Sequence, residues 1–541
     1  MTDLTSRIED AKAAERAGAW DEALAAYFCA LEAARELGAH ATVVDLLRWI
    51  GTVHRERGEL DRADSFYRES LDEAGAAGAA AQVAAALNCL ALVAQIRGDV
   101  DEAEELFARA AASAREAGDD RLGAMVDQNL GTLANIRGDV AEALSRYRSA
   151  LERLRRAGDE RATGWVLHNI GMAHVDLGEL DAAARVYAEA LEVARRADDP
   201  LHVGNVELGF AELHVARGDR AAARGAAERA FELFTRLDSR PGVSEAHRLL
   251  ATIHREDGRP ADAEAHYDAA VRLARGCGDA LVEAEAENGR ALLWLAQGTN
   301  ERALQALNRS HALFARLQAR RELADVDRRL DRLEQTYLEV VRRWGESIDA
   351  KDAYTAGHCN RVAEYACALA AAVGFSGRDL TWLRMGAFLH DVGKTAVPLE
   401  ILNKPGKLTD EEWVQMRAHT TAGDEIVAGL DFPWDIRPVV RSHHERWDGR
   451  GYPDGLAAEE IPLTARILCV ADVFDALTTA RSYRRAFSRD EALRVMRRES
   501  GLVSQAELFE LFQQLLETGA IGPPNDDHWS TGFAPARVAS R

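Results

Sequence analysis

Through the first three hundred or so residues, apolar and polar positions alternate at helical spacing, as in AEALSRYRSALERL at 141–154. A longer period is laid over this one. Gly18, Gly58, Gly98, Gly138, Gly178, Gly218, Gly258 and Gly298 recur every 40 residues. Seven residues before each stands alanine or glycine, from Ala11 and Gly51 to Ala251 and Ala291. Alanine follows five residues after, and nine residues after comes mostly an aromatic: Tyr27, Tyr67, Phe107, Tyr147, Tyr187 and Tyr267. The pattern predicts eight helical hairpins. Small residues let two helices approach, glycine makes the turn, and the aromatic fills space beside the next unit.

After Ala319 the period gives way to a heptad-like seam of Leu323, Val326, Leu330, Leu333, Tyr337, Val340 and Trp344. Two readings fit it: a parallel coiled coil that makes the protein a homodimer, or a last amphipathic helix packed on the repeats. Beyond Trp344 the helices that the pattern predicts are shorter and follow no common period. The fold expected is therefore all-α: residues 1–320 a superhelical solenoid, 321–347 a helical connector, 348–517 a second helical domain, and 518–541 a disordered tail.

The 40-residue order of small residue, glycine, alanine and aromatic resembles the tetratricopeptide repeat, with a unit six residues longer than the usual 34. The resemblance covers roughly 1–320. It implies a concave surface for a protein or peptide partner, with Asn129 and Asn169 at a shared register on the first helices as candidates for the groove. His54, His174, His214 and His254 all stand four residues before their glycine. Equivalent positions in neighbouring repeats lie at least about 8–10 Å apart, too far for one ion, so these are expected to be packing residues.

Charge narrows the ligand classes. The 541 residues carry a net charge of −22, which argues against general attraction to DNA or RNA duplexes or to anionic membranes. No run of about 18 consecutive apolar residues predicts membrane insertion. The six cysteines are scattered and form no CxxC pair. With a charged start and no leader pattern, they point to free thiols in the cytoplasm.

The chemistry lies after residue 350. Of the sixteen histidines, eleven fall outside residues 348–517, so company rather than density marks the site. YTAGHCNRV supplies His358, FLHDVGK supplies His390, Asp391 and Lys394, and MRAHTTAGDEI supplies His419. RSHHERWDG supplies His443 and His444, and ILCVADVFDAL supplies Asp472 and Asp475. Imidazoles mixed with carboxylates, without paired thiolates, suit Fe, Mn or Zn. The ligands outnumber what one ion needs, and two ions about 3.5–4 Å apart fit better, with Asp391 the natural bridge. Such a pair acidifies water and clamps a phosphodiester oxygen. Lys394, one turn beyond His390, can reach the same phosphate.

These segments, with the loop HHERWDGRGYPDGL and the stretches IPLTARIL and DVFDALTTARSYR, resemble the HD-GYP branch of the HD metal phosphohydrolases from about residue 348 to about residue 485. The resemblance implies an all-helical metal domain that hydrolyses cyclic di-GMP to linear pGpG or GMP, with iron or manganese the expected metal. It implies His358, His390, Asp391 and Asp472 around one ion, and His419, His443 and His444 around a second that Asp391 bridges. Lys394 would meet the scissile phosphate. Gly451, Tyr452 and Pro453 would form a wall of the substrate pocket, and Asp475, Arg481 and Arg484 would complete it. Some members add a third metal through a glutamate one turn before the first histidine. Here that position is Tyr354, so two ions are expected. A Phe-Asp-Pro element common before the family's last helix is replaced here by GLVSQAELFELF. A nucleotide receptor with little turnover, signalling through the solenoid, is the alternative function.

Overall fold

The computed structural model describes residues 2–351, 357–429, 435–480 and 485–521. The described residues are helices joined by short turns, with one isolated bridge, Ser500 to Ser504, and no strand. The chain divides into two compact units, Met1–Leu330 and Asp331–Arg541. Arg481 and Arg484, Tyr354 and most of the tail, including His528, lie outside the described residues.

The first unit contains sixteen helices of 15–18 residues, from Thr2–Arg16 to Asn300–Arg316. A turn recurs every 20 residues, so the 40-residue period contains two turns, of which the sequence pattern marked one. The second is left-handed glycine at Gly38, Gly78, Gly118, Gly158 and Gly278, but Asp198, Asp238 and Gln318 hold the same conformation elsewhere. There φ is 51°, 48° and 53°, a region that disfavours a Cβ. Each turn closes like the first, where Gly18 N–H donates to Glu15 O and Ala19 N–H to Ala14 O.

Each repeat aromatic is wedged between small residues. A Cβ on Gly171 would lie 2.4 Å from Tyr187, and one on Gly209, in the next hairpin, 2.7 Å from the same ring. The ring therefore cements its own hairpin and the junction with its neighbour.

The superhelix also returns on itself. Trp20 Nε1 donates to Leu237 O at 2.5 Å, Gly58 abuts Cys277, and Gln318 Nε2 donates to Asp101 Oδ1 at 2.9 Å. The paired residues are about 217–219 apart, so one turn takes five and a half repeats. On its inner side lies a cavity of about 960 Å³, lined by Trp49, Arg55, Asn88, Asn129, Arg161 and Trp165 among others. Asn129 Nδ2 donates to Asn88 Oδ1 there, whereas Asn169 is turned to Thr132 Oγ1.

The repeat histidines stay within their own neighbourhoods. His54 meets Glu59 and stacks on Phe66, His174 meets Glu179, and His254 lies against His266. Among the described residues, no group with metal-ligand geometry includes any of them. One helix, Ala80–Arg97, is long and apolar enough to cross a membrane by length and composition. Its Leu87, Leu90, Ala91, Val93 and Ala94 are buried in the repeat core.

A single helix, Arg320–Asp349, carries the chain across the division between the units. The heptad seam splits along it. Val326, Leu330 and Leu333 are buried, while Val340 and Trp344 are 45% and 42% exposed.

The second unit is built around His358–Val373, Arg378–Leu389 and Leu463–Thr478. Val362, Ala366, Leu369, Ala387, Ile467 and Ala471 bury their shared faces. The C-terminal helix Ala506–Glu517 packs without the Phe-Asp-Pro element. Its Phe512 meets Phe474 with ring centroids 5.2 Å apart, and both meet Tyr365.

Candidate metal centre

Four segments bring the imidazoles to one place. His358 opens the helix His358–Val373, whose first turn is tied down by Asp349 accepting from Cys359 N at 3.0 Å. His390 and Asp391 follow the end of Arg378–Leu389, where the chain tightens into a 3-10 turn at Val392–Ala396. Gly393 in that turn is essential to the approach, since a Cβ would fall 1.8 Å from His419 O. His419 begins the helix His419–Ala428, and His443 and His444 follow Arg437–Ser442 directly.

The ring orientations are fixed from behind. Nδ1–H of His390 donates to Ala387 O at 2.6 Å, that of His419 to Met416 O at 2.7 Å, and that of His443 to Val440 O at 2.9 Å. In each case the acceptor is the carbonyl three residues earlier. A ring held this way has Nε2 turned to the centre, with its lone pair there whenever the ring is neutral, which is how metal-ligating histidines are held.

At that centre the carboxylate of Asp391 divides two groups. Its Oδ2 lies 3.3 Å from His390 Nε2 and 3.9 Å from His358 Nε2, and Asp472 Oδ1 is 3.4 Å from that same His358 nitrogen. Its Oδ1 lies 3.4 Å from His419 Nε2 and 3.9 Å from His443 Nε2. His444 completes the second group, its ring centroid 4.2 Å from that of His443 and 5.1 Å from that of His419. His358, His390 and Asp472 form one set with metal-ligand geometry, and His419, His443 and His444 another. Adjacent histidines can join one set because the helix has ended at Ser442 and the next backbone is a turn.

The electrostatics suit a cation. Burial works against charge on Asp391, but Lys394, with Nζ 2.6 Å from Oδ2, and His390 hold its pKa well below the usual carboxylate range. Burial likewise opposes charge on His390, yet Asp391 raises it to about 9. His443 and His444 go the other way, pushed well down by burial and by neighbouring imidazoles, and so are neutral donors. The donor set fits divalent metal ions: imidazole nitrogens and carboxylate oxygens converge, and among the described residues no thiolate joins them.

Asp475 has a different setting from the substrate wall that the sequence suggests. It is 1% exposed, accepts from His358 Nδ1 at 2.7 Å through Oδ2, and accepts from Arg361 Nε at 2.6 Å through Oδ1. With both oxygens committed it fixes the His358 ring from behind, the setting that carboxylates have behind metal-bound histidines. Burial opposes its charge, and bonds from His358 and Arg361 nonetheless lower its pKa. The proposed wall itself stands close to the imidazoles. Tyr452 has its ring centroid 4.9 Å from that of His444, and Gly451 is pressed so tightly that a Cβ would lie 2.3 Å from Arg446 N. Pro453 follows in the same loop.

Sequence reasoning passed over the residue that holds this loop. Glu445, 2% exposed, accepts N–H bonds from Asp454 at 2.7 Å, Gly455 at 3.1 Å and Leu456 at 3.1 Å. Its position directly after the two histidines and ahead of a glycine-rich loop was the available signal.

Known protein families match both parts of the chain. Residues 320–504 match the HD domain family, 118–330 a MalT-like TPR region and 83–117 a tetratricopeptide repeat. The chain joins tetratricopeptide-type repeats to an HD domain. The HD portion is 40% identical over 185 residues to a 3'3'-cGAMP-specific phosphodiesterase 3 of Vibrio cholerae, covering 34% of this chain and 40% of that one. It is 40% identical over 174 residues to the cyclic di-GMP phosphodiesterase response regulator RpfG of Xanthomonas campestris, covering 32% and 46%. To a cyclic di-GMP phosphodiesterase of Thermotoga maritima it is 37% identical over 184 residues, covering 34% and 50%. The chain thus spans half or less of the length of each of these relatives, and the similarity lies in the HD domain, apart from the repeats.

Proposed function

We propose that this chain is an HD-GYP-type, metal-dependent phosphodiesterase that hydrolyses cyclic di-GMP to linear pGpG or on to GMP. The observation that carries the reading is Asp391, whose two oxygens face two separate imidazole sets 3.3–3.9 Å away. That arrangement supports two divalent ions per chain, iron or manganese, with His358, His390 and Asp472 on one side and His419, His443 and His444 on the other. Bound there, the ions supply Lewis-acid polarisation of the phosphodiester and acidify water. Lys394 holds Asp391 ionised and presents a cation to the phosphate. Tyr452 and the loop clamped by Glu445 wall the nucleotide, and Arg481 and Arg484 add guanidinium groups for it. Relatives named for cyclic di-GMP and for 3'3'-cGAMP both support a cyclic dinucleotide as the substrate class.

The repeats, in this reading, dock a protein or peptide partner on their inner side, where Asn129 lies in the cavity. Val340 and Trp344 are the surface through which connector helices pair in a homodimer. Six free cysteines agree with a cytoplasmic setting. We take 1–320, 321–347 and 348–517 as the repeat, connector and hydrolase segments, and 518–541 as a tail.

The test is anaerobic purification with metal analysis, then incubation with cyclic di-GMP and chromatography of products beside Asp391→Ala. Linear dinucleotide or GMP from the wild type, about two metals per chain, and at least a ~10³-fold loss in the variant are expected. Tight binding without turnover at full metal occupancy would instead make the chain a nucleotide receptor.

A further inference from the structure

Arg417 ends the helix Asp410–Arg417, two residues before the candidate ligand His419. Several described arginines of the second unit are held by carboxylates: Arg361 by Asp475, Arg437 by Asp424, Arg441 by Asp424 and Asp454, Arg446 by Asp448. Arg417 is exposed and, among the described residues, has no ion-pair partner. Its guanidinium carbon instead lies 5.2 Å from the ring centroid of Tyr452 and 5.9 Å from that of Trp413. An arginine laid on aromatic rings keeps its in-plane N–H groups free, and those match the oxygens of a phosphate.

The place of this cation decides which phosphate it serves. Tyr452 has its ring 4.9 Å from His444 and 6.5 Å from His419. Arg417 and His444 thus both border the Tyr452 ring, which joins the cation to the edge of the imidazole cluster. A cyclic dinucleotide has a second phosphodiester, and a cation beside the nucleotide wall is where that group needs a counter-charge.

We propose that Arg417 is a further substrate-binding residue, whose guanidinium, stacked on Tyr452, holds the phosphodiester that is not being hydrolysed. This rests on the cyclic dinucleotide reading above. It makes Arg417 a determinant of preference for substrates with two phosphodiesters over those with one.

The metal-loaded full chain, Arg417→Ala and Arg417→Lys are compared by calorimetric binding of cyclic di-GMP and by turnover. A parallel assay uses bis(4-nitrophenyl) phosphate, a single diester, and metal content is measured for each protein. Arg417→Ala is expected to weaken cyclic di-GMP binding and raise KM by roughly ten- to a hundredfold. The loss on the single diester should be at least about tenfold smaller, with metal content unchanged. Arg417→Lys should fall between, since it keeps the charge but not the planar fork. An unchanged KM for cyclic di-GMP, or an equal loss on both substrates, would overturn the proposal. A metal-loaded wild type that neither binds nor cleaves cyclic di-GMP would overturn the phosphodiesterase reading itself. That outcome is told apart because it appears before any substitution.

Discussion

Both units bury histidines, and they put them to opposite uses. In the repeats His168 and His202 are enclosed, with His202 stacked on Trp165 at 4.5 Å. Burial drives His168 down to about 3 and His202 to about 4, the latter against Asp199, so both are neutral, nearly apolar rings. In the second unit His390 is as deeply buried, yet Asp391 raises it to about 9. The difference is architectural. A 40-residue repeat sets equivalent side chains one hairpin apart, so its histidines are spread along the superhelix. The second unit ends four helical or turn segments at one point, and imidazoles and carboxylates meet there. Histidine is packing material in the first and a candidate ligand set in the second, according to what lies within about 4 Å.

The comparison is sharpest at Asp475, whose carboxylate accepts from His358 and Arg361. Asp475→Asn keeps the shape but removes the charge that orients the ring and raises its basicity. Metal affinity of the set containing His358 should fall roughly ten- to a hundredfold, with the other set spared. Metal titration with turnover as the readout checks this, and excess metal should restore most of the rate. A loss that no metal concentration rescues would move Asp475 back to the substrate.

A substitution in the repeats should have the complementary signature. Gly171→Val drives a branched side chain into Tyr187, from which even a Cβ would be 2.4 Å. Overpacking of this kind costs about 1–3 kcal/mol. The thermal transition of the repeats should move down, while metal content and turnover per loaded chain stay near wild type. If turnover fell in proportion to repeat stability, the two units would be coupled more tightly than their separate cores imply.

What could be read from the sequence follows the same division. The repeats were legible because one hairpin is written eight times, and glycine, alanine and aromatic each have a local steric reason to recur. Half of the turns escaped notice because Asp198, Asp238 and Gln318 adopt a glycine conformation without being glycine. The contacts of Trp20 with Leu237 and of Gln318 with Asp101 were invisible, since they depend on superhelical pitch rather than on any short pattern. In the second unit the imidazole segments were legible through their company. The supporting residues were not: Glu445, Arg361 and Asp349 are ordinary charged residues by sequence, and only the fold shows what they hold. Asp475 was noticed for its motif, but spacing could not show that its carboxylate lies against His358 and Arg361.

The smallest effect tests the neutral histidines directly. Above pH 6.5 His202 is uncharged whether the repeats are folded or not, and it contributes no pH dependence. Below 6.5 the unfolded chain takes up a proton that the folded chain, with its pKa at about 4, refuses. Stability therefore falls as pH drops from 6.5 towards 4, by about 1 kcal/mol over the first pH unit for this residue. Replacing His202 with phenylalanine keeps a ring against Trp165 and removes the titrating group. Melting curves of the full chain between pH 6.5 and 5 should show a shallower decline of the repeat transition in the variant than in the wild type. Equal slopes would mean that His202 is reached by solvent and accepts its proton in place. The contrast with the second unit would then rest on Asp391 alone.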